Sequence, residues 1–230
     1  SWSASLQVHV QLPGLRASPF WDRLSFPWLR PLEERFREVR SEILRLWEEE
    51  GGNATEELQL TARPTDWRRL ALYIASNADR GGTDGCARRA PVTCRLLQGR
   101  EELDPSRLHL PPALAAAARH LEEGGEGDDD EQQDEDGFQF MQPTLAVEVV
   151  ALAADAALLP SFGGHGRLVA YLGIAVPPGC CHLWAGGELR QWREGEVVVT
   201  DDAFVHDHRH EGSERPGLAL AITFLHPSLM

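Results

Sequence analysis

The 230-residue chain sets 36 acidic against 22 basic side chains, a formal charge of −14. Every basic residue is arginine, which excludes a lysine Schiff base, a pyridoxal phosphate anchor and a Walker-type phosphate loop. The acidic balance argues against a nucleic-acid or anionic-membrane binder, and no run of roughly 18 apolar residues is available to span a bilayer.

The length predicts one domain over 1–230 with a substantial core. The chain opens on Ser1 in place of methionine, the mark of a trimmed piece with room for a signal or membrane anchor upstream. Residues 1–31, rich in Trp, Phe, Pro and Leu, read as an extended segment wrapped over the core. Leu32, Phe36, Val39, Ile43 and Leu46 then repeat at helical spacing until Gly51-Gly52, which predicts a scaffold helix. Apolar alternation predicts a strand over 66–75, and 76–95 read as a Gly- and Arg-rich loop holding Cys86 and Cys94. A second helix is predicted over 106–121, with Pro111 and Pro112 near its first turn. Residues 122–136 carry ten acids and no apolar side chain. Such a tract cannot offset its ordering entropy and is expected as a disordered acidic loop insertion; it lacks the ligand spacing of an EF-hand. Without it, 22 basic face 26 acidic residues, a balance of −4 that is ordinary for a folded domain.

From Leu145 the pattern turns to short strands over 145–153, 167–176, 180–185, 188–192, 196–200 and 217–225. Pro177-Pro178-Gly179 and Gly186-Gly187 supply turns, and the whole predicts an antiparallel sandwich or jelly roll. Cys86 and Cys94 are placed for a local disulfide. The adjacent Cys180 and Cys181 would point to opposite faces of a strand. A four-cysteine zinc site is the other reading, although neither pair has CxxC spacing. Asn53-Ala54-Thr55 is a glycosylation sequon, relevant in a secreted or lumenal chain.

The chemistry concentrates in 188–227. Trp192, Glu194-Gly195, Asp201-Asp202-Ala203-Phe204-Val205-His206 and the closing His226-Pro227 frame a polar loop after a buried strand, where a jelly roll can draw a metal ligand. These motifs resemble those of the aspartyl/asparaginyl β-hydroxylase family. Earlier landmarks follow the family's order: Pro13-Gly14-Leu15-Arg16-Ala17, Pro19-Phe20-Trp21, Asp66-Trp67, then Cys86 and Ala90-Pro91-Val92-Thr93-Cys94-Arg95-Leu96-Leu97. The resemblance covers nearly the whole chain except the acidic tract. It implies a mainly β fold with flanking helices, a cupin-like double-stranded β-helix. It further implies ferrous iron and 2-oxoglutarate as cofactors, peptide Asp or Asn as substrate, and an endoplasmic-reticulum or membrane-anchored parent protein.

The same resemblance exposes departures. The family holds iron with two histidines, and the second falls on His206. The first belongs to a Pro-His-x-Gly-Pro-Thr-Asn motif, where this chain has Pro160-Ser161-Phe162-Gly163-Gly164-His165-Gly166, so Ser161 takes the ligand position and His165 is the replacement candidate. The following Arg-x-Arg-x-His strand keeps Arg167 but puts Val169 and Tyr171 at the other two positions. A later family arginine falls on Gly217. Arg215 shares that strand face about 7 Å away. Candidate metal ligands are therefore His206 and His165, and candidate co-substrate residues are Arg215 and Arg167.

The expectation is a degenerate member with lost or weak hydroxylase activity and a residual peptide- or protein-binding role. Nucleic acid is not expected as a partner, and membrane contact is expected only through a segment outside this chain. The alternative is an active dioxygenase with His165 and His206 as iron ligands. His206, His208 and His210 would share one face if extended, but a solvated loop is the expected state. His226 reads as structural, and Asp201-Asp202 as a turn that orients His206.

Overall fold

The computed structural model describes residues 15–50, 55–56, 66–75, 83–109, 144–163 and 166–230. Asn53, most of the expected helix over 106–121, the acidic tract 122–136 and His165 lie outside these residues.

Ten strands are described: β1 (Phe20–Trp21), β2 (Thr55–Glu56), β3 (Trp67–Ala75), β4 (Leu145–Leu152), β5 (Arg167–Ala175), β6 (His182–Ala185), β7 (Glu188–Gln191), β8 (Val197–Asp201), β9 (His206–Arg209) and β10 (Gly217–Leu225). They form a seven-stranded sheet in the order β1-β8-β5-β10-β4-β3-β2 and a three-stranded sheet in the order β7-β6-β9, antiparallel throughout. Residues 157–161 extend the smaller sheet past β9, with Ala157 opposite Arg209 and Ser161 opposite His206. From β4 onward the chain alternates between sheets: large, small (157–161), large (β5), small (β6 and β7), large (β8), small (β9), large (β10). That winding is a double-stranded β-helix.

Period-two burial explains why β4, β5 and β10 read as almost unbroken apolar runs. Leu168, Ala170, Leu172 and Ile174 of β5 pack outward with Leu218, Leu220, Ile222 and Phe224 of β10 in the core beneath the helices. Val169, Tyr171, Ala219 and Ala221 belong to the second core, between the sheets. Both faces are buried, so neither position set is polar. Gly186 and Gly187 close the β6–β7 hairpin with φ of 54° and 85°, the left-handed pair that a two-residue turn of this twist requires.

Among the described residues four α-helices cover the outer face: α1 (Arg30–Glu34), α2 (Phe36–Glu50), α3 (Thr83–Arg89) and α4 (Pro91–Leu97). The predicted helical stripe is realised by Leu32 of α1 and Val39, Ile43 and Leu46 of α2, all fully buried. Glu42 on the same face is buried too, and its carboxylate accepts from Val92 N, Thr93 N and Thr93 Oγ1 at 2.7–2.9 Å. It caps the first turn of α4 from a distant helix, as a side chain at the N-terminus would.

Two local expectations are corrected. The expected loop over 76–95 holds α3 and the start of α4, with Cys86 and Cys94 disulfide-bonded between the two helices, Cα to Cα 5.9 Å. Glycines 81, 82 and 85 suggested a loop, but Ala, Arg and Leu are good helix formers and Pro91 pre-sets φ at the start of α4. The histidine-rich stretch expected as a solvated loop is β9, because its backbone pairs with β6 on one side and 157–161 on the other.

Candidate functional site

Being a strand, β9 and its continuation aim His206, His208 and His210 at the barrel interior, and the latter two are only 3% exposed. Each histidine meets a different environment.

His206 lies at the mouth. Its Nδ1 is 2.9 Å from Phe204 O, and since a carbonyl can only accept, Nδ1 carries the proton and Nε2 the lone pair in the neutral ring. Asp202 Oδ1 is 3.8 Å from that Nε2. Ser161 sits directly across, the two residues exchanging backbone hydrogen bonds of 2.9 and 2.8 Å. The position matched to the missing family histidine is thus adjacent to His206 on the same face, and it holds a hydroxymethyl group.

His208 lies one layer deeper, packed among rings. Trp67 stacks on it at 4.9 Å between centroids, with Tyr171 at 5.2 Å and Trp192 at 5.4 Å, while Tyr171 and Trp192 stack on each other at 5.4 Å. Burial, followed by the neighbouring His206, holds its pKa well below the ordinary histidine value. Burial also raises the Tyr171 hydroxyl above the ordinary tyrosine range, with Asp202 adding to the effect. Trp192 Nε1 and His208 Nδ1 find no hydrogen-bond partner among the described residues.

The cations that β3 and β5 turn inward are already engaged. Arg167 Nε is 2.5 Å from Asp202 Oδ2. Arg69 binds both oxygens of the buried Glu148, at 3.2 and 2.5 Å. Neither Arg69 nor Glu148 stood out in the sequence, although a glutamate within Leu-Ala-Val-Glu-Val-Val-Ala-Leu was the available signal. Arg215 is exposed on the approach to β10, beside Pro177, Pro178 and Trp192 on a surface cavity of about 560 Å³. It does not share the mouth with His206. At Gly217 any side chain is blocked, since a Cβ there would lie 2.2 Å from Cys181 Sγ.

Comparison with known proteins follows the same residues. The model for aspartyl/asparaginyl beta-hydroxylase matches residues 136–227, the span holding the sheet core, Ser161 and His206. Residues 136–227 are thus similar to the aspartyl/asparaginyl β-hydroxylase family, a match over less than half of the chain. The chain is 36% identical over 67 residues to human aspartate beta-hydroxylase domain-containing protein 1, covering 28% of this chain and 17% of that protein. It is 23% identical over 232 residues to mouse aspartyl/asparaginyl beta-hydroxylase, covering 99% of this chain. It spans only a quarter of that longer relative, 25%. Among solved structures a prolyl-4-hydroxylase from Pseudomonas putida aligns over 83% of this chain and 86% of its own, at 11% identity and a TM-score of 0.43.

The cofactors of this hydroxylase family, ferrous iron and 2-oxoglutarate, can be tested against the residues in place. His206 fits a metal ligand, with Nδ1 tied to a carbonyl and Nε2 free. Ser161 does not, because a neutral hydroxyl is a weak donor to ferrous iron. A dicarboxylate needs guanidinium groups, yet Arg69 and Arg167 are bound to internal carboxylates and rings fill the layer below. The described residues therefore do not fit the pair of cofactors.

Proposed function

We propose that this chain is a degenerate family member, its hydroxylase chemistry lost or weak, retained as a peptide- or protein-binding domain. The single observation that carries the reading is the combination at the mouth: Ser161 faces His206 where a second imidazole would sit, and Asp202 holds Arg167. The internal ion pairs support it further. For 2-oxoglutarate to be gripped by Arg69 or Arg167, Glu148 or Asp202 would first have to be displaced from contact.

A binding role is supported by exposed apolar side chains. Leu159 and Phe162, flanking Ser161, are 55% and 54% exposed, and Trp184 and Leu189 on the smaller sheet are also exposed. Exposed apolar side chains on the smaller sheet and beside Ser161 favour an extended peptide with apolar residues. The parent protein is proposed to work in the secretory pathway or at its membranes. Both cysteine pairs are disulfide-bonded, the state favoured by an oxidising compartment. Among the described residues no helix is long and apolar enough to cross a membrane.

The test is turnover. Protein supplied with ferrous iron, 2-oxoglutarate, ascorbate and Asp- or Asn-containing peptides is followed by mass spectrometry for addition of one oxygen atom. The proposal expects unmodified peptide. Stoichiometric hydroxylation that disappears in His165→Ala would establish the active alternative.

A further inference from the structure

The third histidine of the ladder faces sulfur. Cys180 and Cys181, fully buried, are joined by a disulfide, and a ring nitrogen of His210 lies with both sulfurs in a group whose ligand atoms are all within 4.8 Å of one another. These cysteines were expected on opposite faces of a strand. Instead they precede β6 in a turn, with Cys181 at φ 65°, which brings both sulfurs together. Cys180 N donates to Pro177 O at 3.2 Å, Gln191 Nε2 donates to Cys180 O at 3.1 Å, and Trp192 N donates to Cys181 O at 2.9 Å. The backbone is thus fixed independently of the S–S bond.

His210 Nε2 is 2.8 Å from Arg215 O and must donate to it. Its Nδ1 is then an acceptor, and it is buried without a hydrogen-bond partner among the described residues. An unpaired buried lone pair is costly unless something occupies it. Gly217 adds a second constraint. The absent side chain leaves the volume that Cys181 Sγ fills, so the sheet is shaped around this cluster.

We propose that Cys180, Cys181 and His210 form a redox-gated site for a soft divalent cation of the zinc or cadmium class. In the oxidised chain the sulfurs are bonded to each other and the site is closed. Reduction by a phosphine cleaves the S–S bond. The phosphine takes oxygen from water to become its oxide, and the cysteines become two thiols. The cation then binds two thiolates and the imidazole lone pair, releasing both thiol protons to solvent. Three protein ligands leave the fourth tetrahedral position to an exogenous group. The surface cavity beside Pro177, Pro178, Gly179 and Arg215 is lined by the residues that flank the cysteine pair and His210 in sequence, although the three ligands themselves are buried beneath it. His206 and His210 are four residues apart along the strand, about 13 Å, so this site is separate from the mouth.

The experiment uses the whole chain, reduced with phosphine, freed of reductant and titrated anaerobically with Cd²⁺. The cadmium–thiolate ultraviolet band reports binding, and alkylation followed by peptide mass spectrometry reports which cysteines the metal shields. One cation per chain is expected, with Cys180 and Cys181 shielded and Cys86 and Cys94 alkylated. The unreduced chain should give no band. His210→Gln keeps a donor for Arg215 O but removes the ring lone pair, and should weaken binding at least about tenfold. Shielding of Cys86 and Cys94 instead, no shielding at all, an equal band without reduction, or unchanged affinity in His210→Gln would each overturn the site. Shielding is read in the unmutated chain and so does not depend on any variant folding.

Discussion

Ser161 and His206 are a hydrogen-bonded antiparallel pair at the barrel mouth, so their side chains rise from the same face as nearest neighbours. In the family's pattern both places carry a metal-binding imidazole. Here one imidazole, its Nδ1 held by Phe204 O, faces a serine.

That pairing predicts a gain of function. Ser161→His should place a second imidazole beside His206 and give cobalt(II) binding, visible as ligand-field absorption, where the unmodified chain gives none. Adding His206→Ala to the same variant should abolish the signal. Binding that survives the loss of His206 would locate the metal elsewhere.

Gly217 yields a reversal of sign. Alanine there drives a methyl into Cys181 Sγ, and overpacking of this kind costs about 1–3 kcal/mol. In a Cys180→Ala/Cys181→Ala background the obstruction is gone. Ordinary backbone entropy should then make the same substitution neutral or stabilising by about 0.4–1 kcal/mol. Urea unfolding of the four proteins measures both signs.

His208 predicts a pH dependence. Its folded pKa is depressed by burial and by His206, so the folded ring refuses a proton that the unfolded ring accepts. Well above the unfolded pKa of about 6.5 the ring is neutral in both states and contributes no slope. As pH falls below about 6.5, stability should decline by up to about 1.4 kcal/mol per pH unit until the folded pKa is reached. His208→Leu should flatten that part of the profile in denaturant titrations between pH 5 and 8. An unchanged slope would contradict the assignment.

Glu42 should matter more than a surface acid. Its carboxylate satisfies three donors at the start of α4, and Glu42→Ala should cost about 2–3 kcal/mol in urea unfolding. Glu42→Gln keeps one accepting oxygen and should lose roughly half as much.

How much of the fold is legible in the residues depends on where each signal is encoded. The strands β4, β5 and β10 are legible because turn residues bracket apolar runs. The α2 stripe is legible because Val39, Ile43 and Leu46 repeat at helical spacing. β9 is obscure because His-Asp-His-Arg carries no apolar alternation; its strand character comes from partners remote in sequence. The Cys180–Cys181 turn is obscure for a similar reason, since only the packing against Gly217 and His210 shows which way the sulfurs point. At the site, Ser161 and His206 can be matched through the family resemblance. The pairing of Arg69 with Glu148, and of Arg167 with Asp202, is tertiary and leaves no mark in residue spacing.

A barrel with Ser161 opposite His206 and its inner arginines already paired should not bind ferrous iron and 2-oxoglutarate together. Anaerobic titration of the chain with both, read by the weak metal-to-ligand charge-transfer band in the visible, is the decisive measurement. No band is expected at any ratio. A band that saturates at one iron per chain and is lost in His206→Ala or His165→Ala would show instead that the site is intact.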